Sequence, residues 1–234
     1  MGVVSLSSGC GYAVRAGINQ GWKAGMRIED LGTLDGDVLL FGGVLSNLHA
    51  LRALLARARG LGIPPRRMVC TGDVAAYCGQ PAECVALVRA AGIRVVAGNC
   101  ERQLAARAPG CGCGFSPGST CDRLSAGWYA HADREIGPAD RAWMAGLPDM
   151  IRFDHGGRRY AVIHGGVTDI SRFVWPVSAD TVFAREAAAV ARAAGPVDAV
   201  IAGHCGVPFT RRGAPGWINP GALGLPPNDG APQT

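Results

Sequence analysis

The sequence predicts an α/β fold with a mainly parallel sheet, and three observations predict it. From residue 37 onward, short apolar runs alternate with stretches of helical period. Those helical stretches are long enough for the right-handed crossovers that parallel strands require. Four of the apolar runs end in polar residues, Asp73, Asn99, His164 and His204. In an open α/β sheet the C-terminal ends of the strands are where ligands sit.

Residues 1–36 show no sustained period and many glycines, and are assigned to an N-terminal arm, with Met26 an alternative start of the folded unit. The remaining domain spans 37–234. "DVLLFGG" (37–43) is a short apolar strand, and "NLHALRALLARARG" (47–60) a helix closed by Gly60. "RRMVCTGD" (66–73) is a second strand. "PAECVALVRAAG" (81–92) is a helix, with Pro81 preset for its first turn and Gly92 at its end. "IRVVAGN" (93–99) is a third strand. Residues 101–150 read as a largely helical insert around a Cys/Gly-rich loop, "PGCGCGFSPGSTC". "MIRFDHGGRRYAVIHGG" gives two strands around a turn at His155-Gly156-Gly157. A helix near 179–194, the strand "DAVIAGH" (198–204) and a late strand pair in "FTRR" and "GWINPG" complete the chain.

Composition narrows the function classes. A chain of 234 residues with 48% hydrophobic and 18% charged residues suits one globular domain. No window approaches the roughly 18 uninterrupted apolar residues of a membrane span, and the N-terminus lacks a secretory pattern, so a cytoplasmic protein is expected. The net charge is +5, and all but one of the 23 basic residues are arginine. The pairs Arg66-Arg67, Arg158-Arg159 and Arg211-Arg212 are scattered without interleaved aromatics, which favours solvated faces over a nucleic-acid groove. Nine cysteines include no C-x-x-C pair, which disfavours a zinc ribbon or a thioredoxin site.

"VIAGHCGVPFTRR" (200–212) admits two chemistries. His204-Cys205, five residues, then Arg211 has the spacing of a cysteine-phosphatase loop. That loop needs backbone N–H groups curled at a helix N-terminus, to hold phosphate and lower the thiol pKa. Pro208 removes one donor, and the following "GAPG" starts no helix. A metal site is favoured instead, because a carboxylate, an amide and two imidazoles at four strand ends suit a divalent transition ion.

The blocks and their order resemble the calcineurin-like metallophosphoesterase family over roughly residues 37–230. "GDVAAYCGQPAECVALVR" resembles its GD block, "VVAGNCE" its GNH block, "VIHGG" its single-His block, "IAGHCGVP" its GHxH block and "WINPGALGLP" its Asn-Pro-Gly stretch. The resemblance implies a metallophosphoesterase-like β-sandwich flanked by helices on both faces (αββα). It also implies in-line attack on a phosphate-ester small molecule by metal-activated water.

The departures cluster. The family's D-x-H-G-N block is "GVLSN" here, with Gly43 and Leu45 at the ligand positions and only Asn47 retained, and Gly206 stands at the second histidine of the last block. These positions belong to one of the family's two metal sites. The ligands of the other, Asp73, Asn99, His164 and His204, are all present. The resemblance therefore implies one divalent metal (Mn, Fe or Zn), reduced activity, and Asn47, Asn99 and Cys100 nearest the chemistry. Cys100 replaces the family's leaving-group histidine, and Glu101 matches the acidic residue that orients it. A phosphate- or nucleotide-binding pseudoenzyme and a thiol-metal redox protein are the alternatives. Cys100 and Cys205 are either space-filling thiols or soft ligands. The insert is expected to turn at least one of Cys111, Cys113 and Cys121 toward the pocket of Asp73, Asn99 and His204.

Overall fold

The computed structural model describes residues 25–226. Among the described residues, nine strands form two sheets. Strands β2 (Leu39–Phe41), β3 (Met68–Cys70) and β4 (Arg94–Val95) make a parallel sheet in the order β2-β3-β4. The larger sheet joins β1 (Ile28–Thr33), β5 (Met150–His155), β6 (Arg158–Ile163), β7 (Ala199–Ala202), β8 (Phe209–Arg211) and β9 (Gly216–Asn219), in the order β1-β5-β6-β7-β9-β8. Its β5–β6 and β8–β9 pairs are antiparallel and the others parallel. Six helices connect the strands: α1 (Leu48–Gly60), α2 (Pro81–Ala91), α3 (Asn99–Ala105), α4 (Thr120–Glu135), α5 (Pro138–Gly146) and α6 (Asp180–Ala194).

Successive side chains of a strand point to opposite faces, so a strand buried on both faces reads as an unbroken apolar run. That pattern divides the interior into three cores. In β3, Met68 and Cys70 face the helices while Val69 faces the other sheet. In β7, Val200 and Ala202 face α6 while Ile201 faces inward. Val69, Val96, Ile151, Phe153, Val162 and Ile201 form the layer between the sheets. The first core joins the small sheet to α1–α5, and the second joins the large sheet to α6. The architecture is helix, sheet, sheet, helix.

One assignment from sequence is corrected here. Ile28–Thr33, placed in the arm, is the edge strand β1 and pairs in parallel with β5, with a register irregularity between Asp30 and Thr33. Its burial does not alternate cleanly, because an edge strand leaves much of its length to solvent. Residues 1–24 of the proposed arm lie outside the described residues. Among the described residues, no helix is long and apolar enough to cross a membrane.

Candidate metal centre

Four strand ends from the two sheets meet at one point. Asp73 follows β3, Asn99 opens α3 just after β4, His164 follows β6 and His204 follows β7. Ligand atoms of Asp73, His164 and His204 lie within 4.8 Å of one another. His164 Nε2 is 3.0 Å from Asn99 Oδ1, 3.0 Å from His204 Nδ1 and 3.3 Å from Asp73 Oδ2.

The neighbours fix which atoms face inward. His164 Nδ1 donates to the Thr71 carbonyl at 2.6 Å, so Nε2 turns its lone pair to the cluster in the neutral ring. Asn99 Nδ2 donates to the Cys111 carbonyl at 2.9 Å, which presents Oδ1 to the same point. With both rings neutral, at most one of the three contacts to His164 Nε2 carries a proton. The others set lone pair against lone pair in a buried place. A cation at the centre satisfies all four groups together, and two imidazoles, an amide oxygen and a carboxylate suit a divalent transition ion. The residues present fit such a metal.

Electrostatics follow the same logic. Burial alone would raise Asp73, but His164 and His204 hold its carboxyl down at about 2. Burial opposes charge on His164 too, yet the Asp73 carboxylate raises it above its ordinary value. For His204 the balance goes the other way: burial and the neighbouring His164 push it down to about 3, outweighing the upward pull of the Asp73 carboxylate.

Glu101 holds the loop that carries Asp73. Its fully buried carboxylate accepts the backbone N–H groups of Asp73 and Val74 at 2.8 Å each, and that of Gly98 at 2.9 Å. Asp73 takes a positive φ of 55°, and these bonds hold the turn. Gly98 lets the carboxylate come close, since a Cβ there would lie 2.2 Å from Asp73 Oδ1. The family resemblance implies that Glu101 orients residue 100; the structure has it bracing the loop that carries Asp73. Burial raises its pKa first, with the Asp73 charge adding to it. A second buried carboxylate, Glu186 on α6, braces the loop after His164 through the Val167 and Thr168 N–H groups and Arg172. No pattern in the sequence marks Glu186, because its partners are backbone N–H groups and side chains of a loop that packs on α6 only in the fold.

Of the residues assigned to catalysis from sequence, Asn47 is engaged away from the cluster and Cys100 is buried behind it, against Asp73 and Asn99. Asn47 caps α1, accepting from the Ala50 N–H at 3.0 Å, and its amide donates to the Gly224 carbonyl at 3.0 Å. Both ends of its side chain are thus engaged away from the cluster. Cys100 is 1% exposed, packs in the first core and does not line the cavity, and burial with the Asp73 charge keeps its thiol well above the ordinary value. The Cys100 N–H does contact Asp73 Oδ1, at 3.3 Å. Asn99, by contrast, joins the cluster through its side-chain oxygen.

Beside the cluster opens a cavity of about 250 Å³. Asp73, His164 and His204 reach it, and so do Gly43, Leu45 and Gly206, which stand at three ligand positions of the family pattern. Cys113 and Cys121 of the insert line it as well. Cys111 and Cys113 form a disulfide, and Asn99 Nδ2 lies 3.4 Å from Cys113 Sγ. The insert therefore touches the centre through a backbone carbonyl and a bonded sulfur rather than a thiolate.

Arg211 decides against the competing cysteine-phosphatase spacing. It pairs with Asp180 at 2.9 Å and lies over the Phe183 ring, and its backbone belongs to strand β8 rather than to a phosphate-cradling loop. Burial raises the Cys205 thiol.

Comparison with known proteins bears on the family and the fold. The family described as the calcineurin-like phosphoesterase superfamily domain matches residues 41–234. A metallophosphoesterase from Sphaerobacter thermophilus superposes with a TM-score of 0.59 at 23% identity, covering 88% of this chain and 80% of that one. A hypothetical protein from Pyrococcus horikoshii OT3 superposes with a TM-score of 0.63 at 16% identity, covering 81% and 77%. No curated protein matches the chain.

Proposed function

Because the chain belongs to the calcineurin-like phosphoesterase superfamily, whose members are metal-dependent phosphoesterases, we propose that it hydrolyses a phosphate ester at a centre holding one divalent metal. The observation that carries this is the convergence of Asp73 Oδ2, Asn99 Oδ1 and His204 Nδ1 on His164 Nε2. A bound divalent ion would supply Lewis acidity toward a phosphoryl oxygen and acidify water at neutral pH. Mn, Fe and Zn all accept this donor set.

The protein's own groups do the positioning. Thr71 and the Cys111 carbonyl fix the His164 tautomer and the Asn99 amide, and Glu101 holds Asp73. The region of a second metal is apolar: Leu45 is buried with a φ of 54°, and a side chain at Gly206 would meet the Ala222 methyl. Without a second ion, nothing there clamps the departing oxygen, and Cys100 is too buried to protonate it. Turnover is therefore slow relative to a two-metal enzyme.

The test is a phosphoester panel with Mn²⁺, Fe²⁺ or Zn²⁺, run beside His164→Ala. Metal-dependent hydrolysis that disappears with bound metal in the variant supports the proposal. A protein that binds metal and phosphate esters without turnover is instead the phosphate-binding pseudoenzyme.

A further inference from the structure

The cavity beside the centre has a composition that selects among phosphate esters, an inference that rests on the single-metal reading above. Among the described residues lining it there is no lysine and no arginine, and Asp73 is its one acid. Arg172, adjacent in sequence to the cavity-lining Phe173, is turned away onto Glu186 at 2.9 Å. A divalent ion held by one carboxylate, one amide and two neutral imidazoles leaves a single net positive charge. That balances a phosphodiester, which carries one negative charge. A monoester dianion or a polyphosphate would leave excess negative charge in a cavity that no lysine or arginine among the described residues lines, where uncompensated charge is costly.

The wall of the cavity is aromatic from the metal ligand outward. The Phe173 ring centroid is 4.3 Å from that of His204, and Trp175 stacks on Phe173 at 5.4 Å with the planes 3° apart. Phe115, from the insert, stands 6.3 Å from Phe173. Flat apolar surface thus begins at a ligand ring, within reach of a group esterified to a phosphorus at the centre.

We propose that the site takes singly charged phosphodiesters bearing an aromatic or other flat apolar ester arm, with Phe173 and Trp175 as the residues that select the arm. The two rings act differently. Phe173 packs between the His204 ring and the arm, and Trp175 stiffens Phe173 from behind.

Three inert probes test this by calorimetric binding to the metal-loaded protein. Benzyl(methyl)phosphinate is a monoanion with a ring, benzylphosphonate at alkaline pH is a dianion with the same ring, and dimethylphosphinate is a monoanion without one. The expected order puts benzyl(methyl)phosphinate about tenfold tighter than either of the others, a typical value for one well-placed ring contact or one uncompensated charge. Phe173→Leu, which keeps apolar volume but removes the flat face, should erase the ring preference, read as the ratio of benzyl(methyl)phosphinate to dimethylphosphinate affinity within that variant. Trp175→Leu should weaken the preference and provides the same test if Phe173→Leu does not fold. Equal or tighter binding of the dianion would overturn the charge argument, and a ring preference surviving both variants would overturn the assignment of the wall. No binding of any probe with metal present would overturn the single-metal reading and this proposal with it.

Discussion

His164 uses its two ring nitrogens differently, one fixed on the Thr71 carbonyl and the other turned to Asp73, Asn99 and His204. The titration of this cluster predicts how the metal-free protein responds to acid. His204 sits near 3 in the fold against 6.5 as its ordinary value, so between those values the unfolded chain binds a proton that the folded one refuses. Stability must fall as the pH drops from about 6.5 toward 3. Asp73, lowered from 3.8 to about 2, removes its own contribution as the pH falls through that lower window. His164 acts in the opposite direction: its raised value contributes stability in full below 6.5 and loses it as the pH rises through that value. Urea unfolding of chelator-treated protein should show a midpoint that declines from neutral pH toward 4, and His204→Ala should flatten the decline. Cys205 gives a second prediction at this scale. Its thiol is raised by burial, and Arg211 is engaged with Asp180, so Cys205→Ser should retain metal-dependent hydrolysis within about twofold, as an ordinary substitution off the reaction path does. Metal-independent turnover that vanishes in Cys205→Ser would show a thiol mechanism.

Each clustered side chain hangs from the C-terminal end of a strand, so the loops that leave the strands are as constrained as the side chains they carry. Gly72, between β3 and Asp73, has a φ of 97°. A Cβ there would lie 2.7 Å from the Gly98 nitrogen and 2.8 Å from His164 Nδ1. Gly72→Ala should therefore cost on the order of 3 kcal/mol through backbone strain and overpacking, and should impair metal uptake by displacing His164. Gly79→Ala, where a Cβ would meet nothing within 4 Å, should change neither. Thermal unfolding and metal content measured on the two variants check this. At this scale the sequence was readable where an element is buried on both faces or ends in a cap: α2 ends at Gly92 in the left-handed conformation, and β7 lies within its apolar run. It was not readable at β1, whose pairing with β5 joins residues more than a hundred positions apart and whose own burial pattern is mixed. Asn47 misled for a local reason: Asn is both a ligand-type residue and a good helix cap, and the cap is what it forms. The bracing by Glu101 and Glu186 was not legible, because carboxylates that bind backbone N–H groups leave no spacing in the sequence.

Across the described residues, two sheets with an apolar layer between them bring strand ends from both to one point, and that meeting makes a four-residue cluster from positions 73 to 204. The C-terminal segment closes over the neighbouring region. The Gly224 N–H donates to the Gly43 carbonyl at 3.0 Å, and the Gly224 carbonyl accepts from Asn47. Gly43, Leu45, Gly206 and Ala222 therefore present apolar surface to the cavity where a second metal would need ligands. The central claim is a centre with one metal, and the most direct test is elemental analysis of freshly purified protein, normalised to chain concentration and repeated on Asp73→Ala and His164→Ala. The account predicts one transition-metal ion per chain, lost in both variants. Two ions per chain held by protein ligands, or one ion that persists in both variants, would contradict it.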